Sequence, residues 1–468
     1  ADENTLTPFT YVHGSPGFDA MGLIYDTLFV RAPDNTIIPW MVKDYSVENE
    51  SKVYHITLED GLKWHDGQPL TAEDVKFTLE RAVVSPQTMY LYNPISEVTV
   101  IDDYTVKVTT KTPFGALLQN LAAIQGGIVN KKVVEAAGED YVKNPVGTGQ
   151  YKFKEWLPGN KIVFEAFNDS YHGAPKIKEI TFKTVPEVSN RMIYLETGEA
   201  DISFDIGLMD KEAVKNHKNL ELLEVESPSI LYIGFDQTVP KFQNKKLRQA
   251  IAYAIDNNVF VDAIFRGSAV AADSVMAKAS PAYNPNVKKY DQNIEKAKEL
   301  LKEAGYPNGI DLQLWVMDDG PRVDMCVIIQ DQLKAVGINV EIKVFEFGAY
   351  VSKTALPDKE LYFLSWNSSG DGDASLYPLF HSTQHGASGN RSFYSNKEVD
   401  DLLDKARTSV NQDERTEIYK KVQDILQEEL PHYTLVYPKL NLAKSTKVKN
   451  MIFKKNGYVD LTKAYVEK

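Results

Sequence analysis

A strand–helix–strand pattern in residues 310–344 constrains the fold of this 468-residue chain more than any other sequence feature. Apolar and polar residues alternate over 310–316 and again over 339–344, and this period of two is typical of β-strands. The stretch 322–336 between them has the apolar spacing of a helix. Two strands that are joined through a helix run parallel, because a tight hairpin cannot contain the helix. The pattern therefore predicts an α/β lobe.

Helix and strand patterns are mixed along the rest of the chain, which indicates that α and β elements share domains. Thr71 followed by Asp74 predicts a capping box at the start of a helix. Residues 98–109 read as a hairpin with Asp102 and Asp103 at its turn. We also expect a strand over 53–58 and helices over 244–264, 293–304, 398–408 and 413–429.

The composition excludes several classes of protein. The net charge is −13, and such an acidic surface repels nucleic acid and anionic membrane surfaces. The chain has a single cysteine, Cys326, so no intrachain disulfide forms. We expect Cys326 to pack as a small apolar residue in a helix. A chain of this length buries enough apolar surface to fold without a disulfide or a metal.

No apolar run is long enough to span a bilayer. The first residue is Ala1, and we expect that a signal peptide or a cloned leader preceded it. The sequence leaves open whether that upstream segment carried a lipid anchor. We expect the protein to be a monomer and to contain no cofactor.

Motifs for enzymatic chemistry are incomplete. His381 and His385 are four residues apart, a spacing that places two imidazoles on one helix face, but a glutamate to act as general base does not follow His381. The glycine-rich stretch 145–151 lacks the lysine and hydroxyl residue of a phosphate-binding loop. A Gly-x-Ser-x-Gly elbow is absent. A hydrolase of unknown type is therefore the weakest reading, and we expect no enzyme.

Five ordered blocks of the chain resemble one protein family. The longest reads YHITLEDGLKWHDGQPLTAEDVKF, and the shorter ones include PVGTGQY and LRQAIAYAID. Together they are similar to the bacterial extracellular solute-binding proteins of family 5, which capture peptides, glutathione or nickel for ABC importers. The blocks are spread over almost the whole chain, at residues 54–77, 145–151, 247–256, 297–307 and 398–407.

The resemblance implies an α/β, two-lobed periplasmic-binding-protein fold (type II, cluster C) with an extra subdomain inserted in the first lobe. Ligand would be held between the lobes, which close by hinge motion. We expect lobe I to comprise residues 1–40, 150–245 and 438–468, the inserted subdomain 41–149, and lobe II 246–437. The implied location is the periplasm, or the outer face of the membrane if the protein is lipid-anchored.

The resemblance also implies a function and partners. The chain would bind a small peptide (dipeptide, oligopeptide or glutathione-like) and deliver it to an ABC-transporter membrane permease, without nucleic acid as a partner. The alternative ligand is nickel or another metal chelate, for which His381 and His385 are the metal-ligand candidates. Nickel-binding relatives use an arginine near 125–126, and this chain has none there.

A peptide is a zwitterion, so a site that removes it from water must pair both of its charges. Arginine suits the carboxylate, because its planar guanidinium donates two parallel hydrogen bonds. Arg322 follows the predicted strand 310–316 at the start of a helix, and the carboxyl ends of such strands face ligands in α/β proteins. Dipeptide-binding relatives have an arginine at the matching place.

The turn-rich stretch 366–396 contains most of the remaining predicted ligand-binding residues. Dipeptide- and oligopeptide-binding relatives carry an aspartate where this chain has Ser369, and the pattern WNSSGDGD is more similar to the glutathione-binding subgroup. Asp371 or Asp373 would then reach the ligand's ammonium group, and Trp366 would line the site. Other predicted contacts are Ser368, Asn390, Arg391 and Tyr394, with His13 from the first lobe.

Overall fold

The computed structural model describes residues 17–32, 36–85, 88–204, 206–368, 371–455 and 457–467. The chain forms two compact units. The first comprises Ala1–Val225, Arg407–Asn411 and Asn441–Lys468, and the second comprises Glu226–Ala406 and Gln412–Leu440. The chain therefore enters the second unit after Val225 and returns to the first unit after Leu440, whereas the sequence analysis expects these boundaries at 245 and 437.

The first 225 residues form short strands and helices in alternation. The strands are β1 (Phe29–Arg31), β2 (Ile37–Pro39), β3 (Val42–Glu48), β4 (Val53–Leu58), β5 (Ile95–Asp102), β6 (Thr105–Thr110), β7 (Tyr151–Leu157), β8 (Lys161–Ala166), β9 (Glu179–Lys183), β10 (Ile202–Phe204) and β11 (Leu220–Glu226). The helices are α1 (Gly17–Ile24), α2 (Ala72–Val84), α3 (Met89–Tyr92), α4 (Leu117–Leu121), α5 (Lys131–Ala137), α6 (Val188–Thr197) and α7 (Lys211–Asn216).

Two antiparallel sheets organise this unit, one in the order β3-β4-β6-β5 and one in the order β7-β8-β9. Their inward-facing residues share a single core, to which Ile56 on β4 and Phe164 on β8 both belong. Residues 41–149 lie within the first unit, and their assignment to an inserted subdomain stays a prediction. The predicted strand at 53–58 and the hairpin β5–β6 are confirmed.

Helix α2 begins where the capping motif predicts. The backbone N–H of Thr71 donates to the carboxylate of Asp74 at 3.0 Å, which satisfies a donor that the first turn leaves free. The apolar face of the helix, including Val75 and Leu79, is fully buried in the core. The capping box therefore positions a helix that covers the four-stranded sheet.

The second unit contains the predicted strand–helix–strand pattern. Its strands are β12 (Ile230–Phe235), β13 (Ala269–Ala271), β14 (Ile310–Met317), β15 (Ile338–Phe345), β16 (Leu361–Trp366) and the start of β17 (His432–Ser445). Its helices are α8 (Lys245–Ala254), α9 (Asn257–Ala263), α10 (Ile294–Glu303), α11 (Gly320–Lys334), α12 (Phe347–Thr354), α13 (Gly372–Phe380), α14 (Lys397–Thr408), whose last residues the first unit takes, and α15 (Gln412–Glu429).

The sheet of this unit has the order β17-β12-β16-β14-β15. Strand β14 is parallel to β15 on one side and to β16 on the other, which confirms the predicted parallel pair. Strand β12 is buried along its whole length between β16 and β17. This burial explains why residues from 226 onward belong to the second unit.

The remaining strands complete the first unit. Residues 442–444 of β17 pair with β10. The last strands are β18 (Val448–Lys449), β19 (Ile452–Phe453), β20 (Val459–Asp460) and β21 (Tyr465–Val466), paired as β18 with β21 and β19 with β20.

The single helix predicted over 244–264 is wrong, because the structure divides it into α8 and α9. Ile255 has extended backbone angles, and the side chain of Asp256 accepts a hydrogen bond from the N–H of Asn258 at 2.9 Å. An aspartate at this position caps a new helix in preference to continuing the old one.

Candidate functional site

The carboxyl ends of β14, β15 and β16 form one edge of the second unit's sheet. Because the three strands run parallel, Met317, Phe345 and Trp366 all lie at this edge. Helix α11 begins three residues after β14, with Asp319 as its N-cap. In open α/β sheets this edge is where ligands bind, since the helix N-termini and loop side chains converge there.

Arg322 lies in the first turn of α11 and contacts two strands at this edge. One of its terminal nitrogens, Nη2, donates to the Oγ of Ser365 on β16 at 3.2 Å, and Nη1 lies 3.0 Å from the sulfur of Met317 on β14. Its Nε lies 3.5 Å from a carboxylate oxygen of Asp319. Its side chain keeps 22% of its surface exposed. A guanidinium has five N–H donors, so this arrangement leaves donors for a further acceptor.

Two apolar side chains at the carboxyl end of β15 are exposed. Phe347 at the start of α12 has 62% of its surface exposed, and Val344 near the end of β15 has 49%. Ligand-binding sites are lined mainly by apolar side chains, and exposed apolar residues such as these are suited to line one. Neither residue was predicted as a ligand contact, because no local sequence pattern marks them.

Trp366 is half-buried at the end of β16. Its indole N–H donates to the carbonyl oxygen of Ala374 at 2.9 Å, and its ring packs against the apolar cluster that contains Tyr362 and Leu376. Neighbouring residues of a strand point to opposite faces, so Trp366 and Ser365 face away from each other. Arg322 and Trp366 are both predicted ligand contacts. Because Arg322 contacts Ser365, the side chains of Arg322 and Trp366 lie on opposite faces of β16.

The carboxylate of Asp371 has a structural partner. Nη2 of Arg415 on α15 lies 3.3 and 3.1 Å from its two oxygens, and Arg415 also donates to the hydroxyl of Tyr419. Both charged residues are buried. Burial opposes the charge of Arg415, but Asp371, Tyr419 and Asp373 together outweigh this effect and raise the pKa of the guanidinium.

Asp371 also caps α13 by accepting the N–H of Asp373. Asp371 or Asp373 is predicted to bind a ligand ammonium, and the contact with Arg415 gives Asp371 another role. Asp373 is buried in the first turn of the same helix. Their binding roles stay predictions.

The hydroxyl of Ser368 lies 2.6 Å from that of Ser375 on α13. Ser369 and His13, two further predicted ligand contacts, lie outside the described residues. Ser368 therefore joins the end of β16 to α13, and its role toward a ligand stays a prediction.

The loop between α13 and α14 is organised around Asn390. This buried side chain donates to the carbonyl oxygens of His381 and Tyr394 and accepts the N–H of Tyr394. Arg391 donates to the carbonyl oxygen of Val351 at 3.1 Å and to the hydroxyl of Thr354. Asn390 and Tyr394 are buried and Arg391 is half-buried. Asn390, one of these three predicted ligand contacts, thus uses its polar atoms for hydrogen bonds within the loop.

His381 and His385 do not share an α-helix face, because the residues between them form one 3-10 turn. Nε2 of His381 lies 3.4 Å from an oxygen of Asp404 and 3.8 Å from one of Asp400. Nε2 of His385 lies 2.9 Å from the carbonyl oxygen of Tyr394. Within the described ranges, no group of three or more His, Cys, Asp or Glu residues has the geometry of a metal site.

The part of the chain that the structure describes includes no helix with the length and apolar character that a membrane crossing requires. Cys326 is fully buried in α11, and burial raises the pKa of its thiol. The expected packing role of Cys326 is confirmed.

Comparison with known proteins places these features in context. Residues 36–387 match the family model for bacterial extracellular solute-binding proteins, family 5. The glutathione-binding protein GsiB of Salmonella typhi is 34% identical over 439 residues, which cover 90% of this chain and 84% of that protein.

Two solved structures are similar over nearly the full length. The periplasmic binding protein DppA of Helicobacter pylori, in complex with the peptide STSA, has a TM-score of 0.85 at 28% identity and covers 100% of this chain and 96% of its own. NikZ of Campylobacter jejuni, in complex with Ni(L-His), has a TM-score of 0.83 at 25% identity, with coverages of 98% and 95%.

Proposed function

The chain belongs to the bacterial extracellular solute-binding proteins, family 5, and on that premise we propose that it captures a small peptide, dipeptide-sized to glutathione-like, for an ABC importer. The two-lobed α/β fold and the transport role follow from the family and its solved members. The ligand class is the new element. It rests on the names of the relatives and on one feature of the site.

That feature is the half-buried guanidinium of Arg322 at the carboxyl edge of a parallel sheet. Its acceptors are a serine hydroxyl, a thioether and a carboxylate 3.5 Å away. These are weaker partners than a ligand carboxylate that accepts two parallel N–H bonds. Phe347 and Val344 supply exposed apolar surface at the carboxyl end of the neighbouring strand β15 for a ligand side chain.

The glutathione-like branch of the proposal rests on the relatives. GsiB is named for glutathione, and this chain has Ser369 where a dipeptide-type aspartate is expected. Glutathione has two carboxylates, so we expect Arg322 to bind one of them. The protein binds its ligand without converting it and acts outside the cytoplasm.

Calorimetric titration with dipeptides, reduced glutathione, oxidised glutathione and nickel with free histidine tests the proposal. We expect a peptide of this set to bind, and Arg322→Ala to weaken that binding about 10- to 100-fold, because a charge-assisted hydrogen-bond pair is lost. Lys334→Ala, at the other end of α11, is the matched control and should bind as the wild type does. Chemical turnover of a bound peptide would contradict a pure binding role.

A metal chelate is the second candidate, supported by the similarity to NikZ. If nickel with histidine binds and every peptide fails, the peptide proposal is wrong. In that case His381→Gln and His385→Gln, compared with the wild type, decide whether either imidazole contacts the metal.

A further inference from the structure

The last 28 residues carry a charge opposite to that of the rest of the protein. Residues 441–468 include seven lysines and two acidic residues, a net charge of +5. Because the whole chain carries −13, the other 440 residues carry −18. These 28 residues all belong to the first unit. A strongly acidic protein thus has one basic segment of defined structure.

Residues 447–455 and 457–467 form one antiparallel hairpin, which we call the terminal hairpin. Val448 pairs with Val466, and further along the same ribbon Phe453 pairs with Val459. The N–H of Lys454 donates to the carbonyl oxygen of Tyr458 at 2.8 Å and closes the turn. The four short strands β18 to β21 are therefore nested pairs of a single hairpin.

One side of the terminal hairpin is anchored in the first unit. Val459, Leu461 and Ala464 belong to its main apolar core, and Met451 and Phe453 pack against that core. We call the exposed residues of the hairpin its outer side. The hairpin thus combines buried apolar residues that anchor it with an outer side in contact with solvent.

The outer side carries cations and aliphatic groups. Lys447, Lys455 and Lys463 are exposed, and none of them has an ion-pair partner in the described part of the chain. Ile452 and Val466 are 50% and 44% exposed.

The two acidic residues of the hairpin do not offset these lysines. Asp460 lies 3.2 Å from Lys454, and Glu467 lies 3.5 Å from Lys449. Lys176 adds a further cation, since its ammonium lies 4.9 Å from the ring centre of Tyr465.

We propose that the outer side of the terminal hairpin binds anionic lipid headgroups at a membrane surface. Each lysine near such a surface contributes about 1 kcal/mol, and exposed aliphatic side chains add contact with the headgroup region. The repulsion from distant acidic residues is weak, because salt screens charges beyond about 8 Å at physiological ionic strength. An acidic protein surface would attract the same lysines, but it would not by itself call for exposed aliphatic groups in the same hairpin.

The test is co-sedimentation of the purified protein with vesicles of phosphatidylglycerol in phosphatidylcholine, and with vesicles of phosphatidylcholine alone. We expect binding only to the first, weakened by high salt. The triple variant Lys447→Glu, Lys455→Glu, Lys463→Glu should lose about 100-fold in affinity, as three lysine contacts predict. The control triple variant Lys302→Glu, Lys334→Glu, Lys421→Glu has the same charge change at exposed sites in the second unit and should keep more affinity.

Equal binding by the two triple variants, or no binding of the wild type to phosphatidylglycerol, would overturn the proposal. Thermal unfolding and peptide titration of each variant show that folding and ligand binding are intact. If the hairpin variant impairs import in cells while its vesicle binding equals that of the wild type, the surface serves a protein partner and the lipid proposal is wrong.

Discussion

The imidazole Nε2 of His65 lies 2.9 Å from the carbonyl oxygen of Gly149, although 84 residues separate the two in the chain. The other ring nitrogen, Nδ1, accepts the N–H of Gly147 at 3.2 Å. A neutral imidazole satisfies this arrangement, with a proton on Nε2 and a lone pair on Nδ1. The two most recognisable sequence blocks of the chain thus meet through one buried histidine.

This contact predicts a loss of stability in acid. Burial lowers the pKa of His65 from 6.5 to about 4, so the unfolded state binds more protons than the folded state between these values. The contribution is complete above pH 6.5 and falls as the pH drops toward 4, by about 3 kcal/mol in total. His432, whose pKa burial lowers to about 3, acts in the same direction. Urea unfolding at several pH values measures the slope.

The matched variants are His65→Gln and His217→Gln. We expect His65→Gln to be less stable at pH 7 and to depend less on pH between 6.5 and 4. His217→Gln is the control, because the half-buried His217 takes no part in the contact between His65 and Gly149. An identical slope in all three proteins would show that His65 does not control acid stability.

Gly147 should not tolerate a side chain. A Cβ at this position would meet the carbonyl oxygen of Ile24 at the end of α1, and backbone cannot move as a flexible side chain does. We expect Gly147→Ala to lower the free energy of unfolding by about 1–3 kcal/mol through overpacking. Gly22→Ala in α1 is the control, since its Cβ would lie 3.7 Å from the nearest atom of Tyr458. Thermal unfolding that finds the two variants equally stable would contradict the close packing.

Removal of Arg415 should be severely destabilising. Asp371 would then remain buried without its guanidinium partner, and breaking a buried ion pair costs about 3–5 kcal/mol. Lys397→Ala, which breaks the exposed pair with Asp401, should cost at most about 1 kcal/mol. Chemical denaturation of Arg415→Met and Lys397→Ala gives both values. A cost for Arg415→Met as small as that of the control would mean that Asp371 is free to serve a ligand.

Ser365 is expected to orient Arg322 for binding. Loss of its hydroxyl removes one acceptor of the guanidinium, worth about 0.5–1.5 kcal/mol, so Ser365→Ala should weaken peptide affinity about 2- to 10-fold. Ser352→Ala on α12 removes an exposed hydroxyl and serves as the control. Peptide titration is the measurement, and thermal unfolding separates positioning from stability. If affinity is unchanged while Arg322→Ala is impaired, Ser365 does not position the arginine.

Local sequence patterns predicted local structure well. The capping box at Thr71, the hairpin β5–β6 and the parallel pair β14–β15 are all confirmed, because each depends on residues close together in the chain. The helix expected over 244–264 fails at Asp256 for an equally local reason. Its apolar period continues across the break, while its capping side chain starts a new helix.

The site was predicted less completely. The position of Arg322 follows from the order of strand and helix, so it was found from sequence. Ser365 and Met317 contact Arg322 only because three strands align in the sheet. Asp371 stands in a turn-rich loop that indicates binding, yet its partner Arg415 lies 44 residues further along the chain.

The sequence by itself determined the family, the alternation of helices and strands, and the place of the arginine at a strand's carboxyl end. These are encoded in short-range periodicity and in motifs of a few residues. Only the tertiary structure decided which polar side chains are committed to one another, such as His65 with Gly149 and Asp371 with Arg415. Such partners are chosen by packing over long stretches of chain, where burial makes an unpaired polar group costly, and no local pattern records that choice.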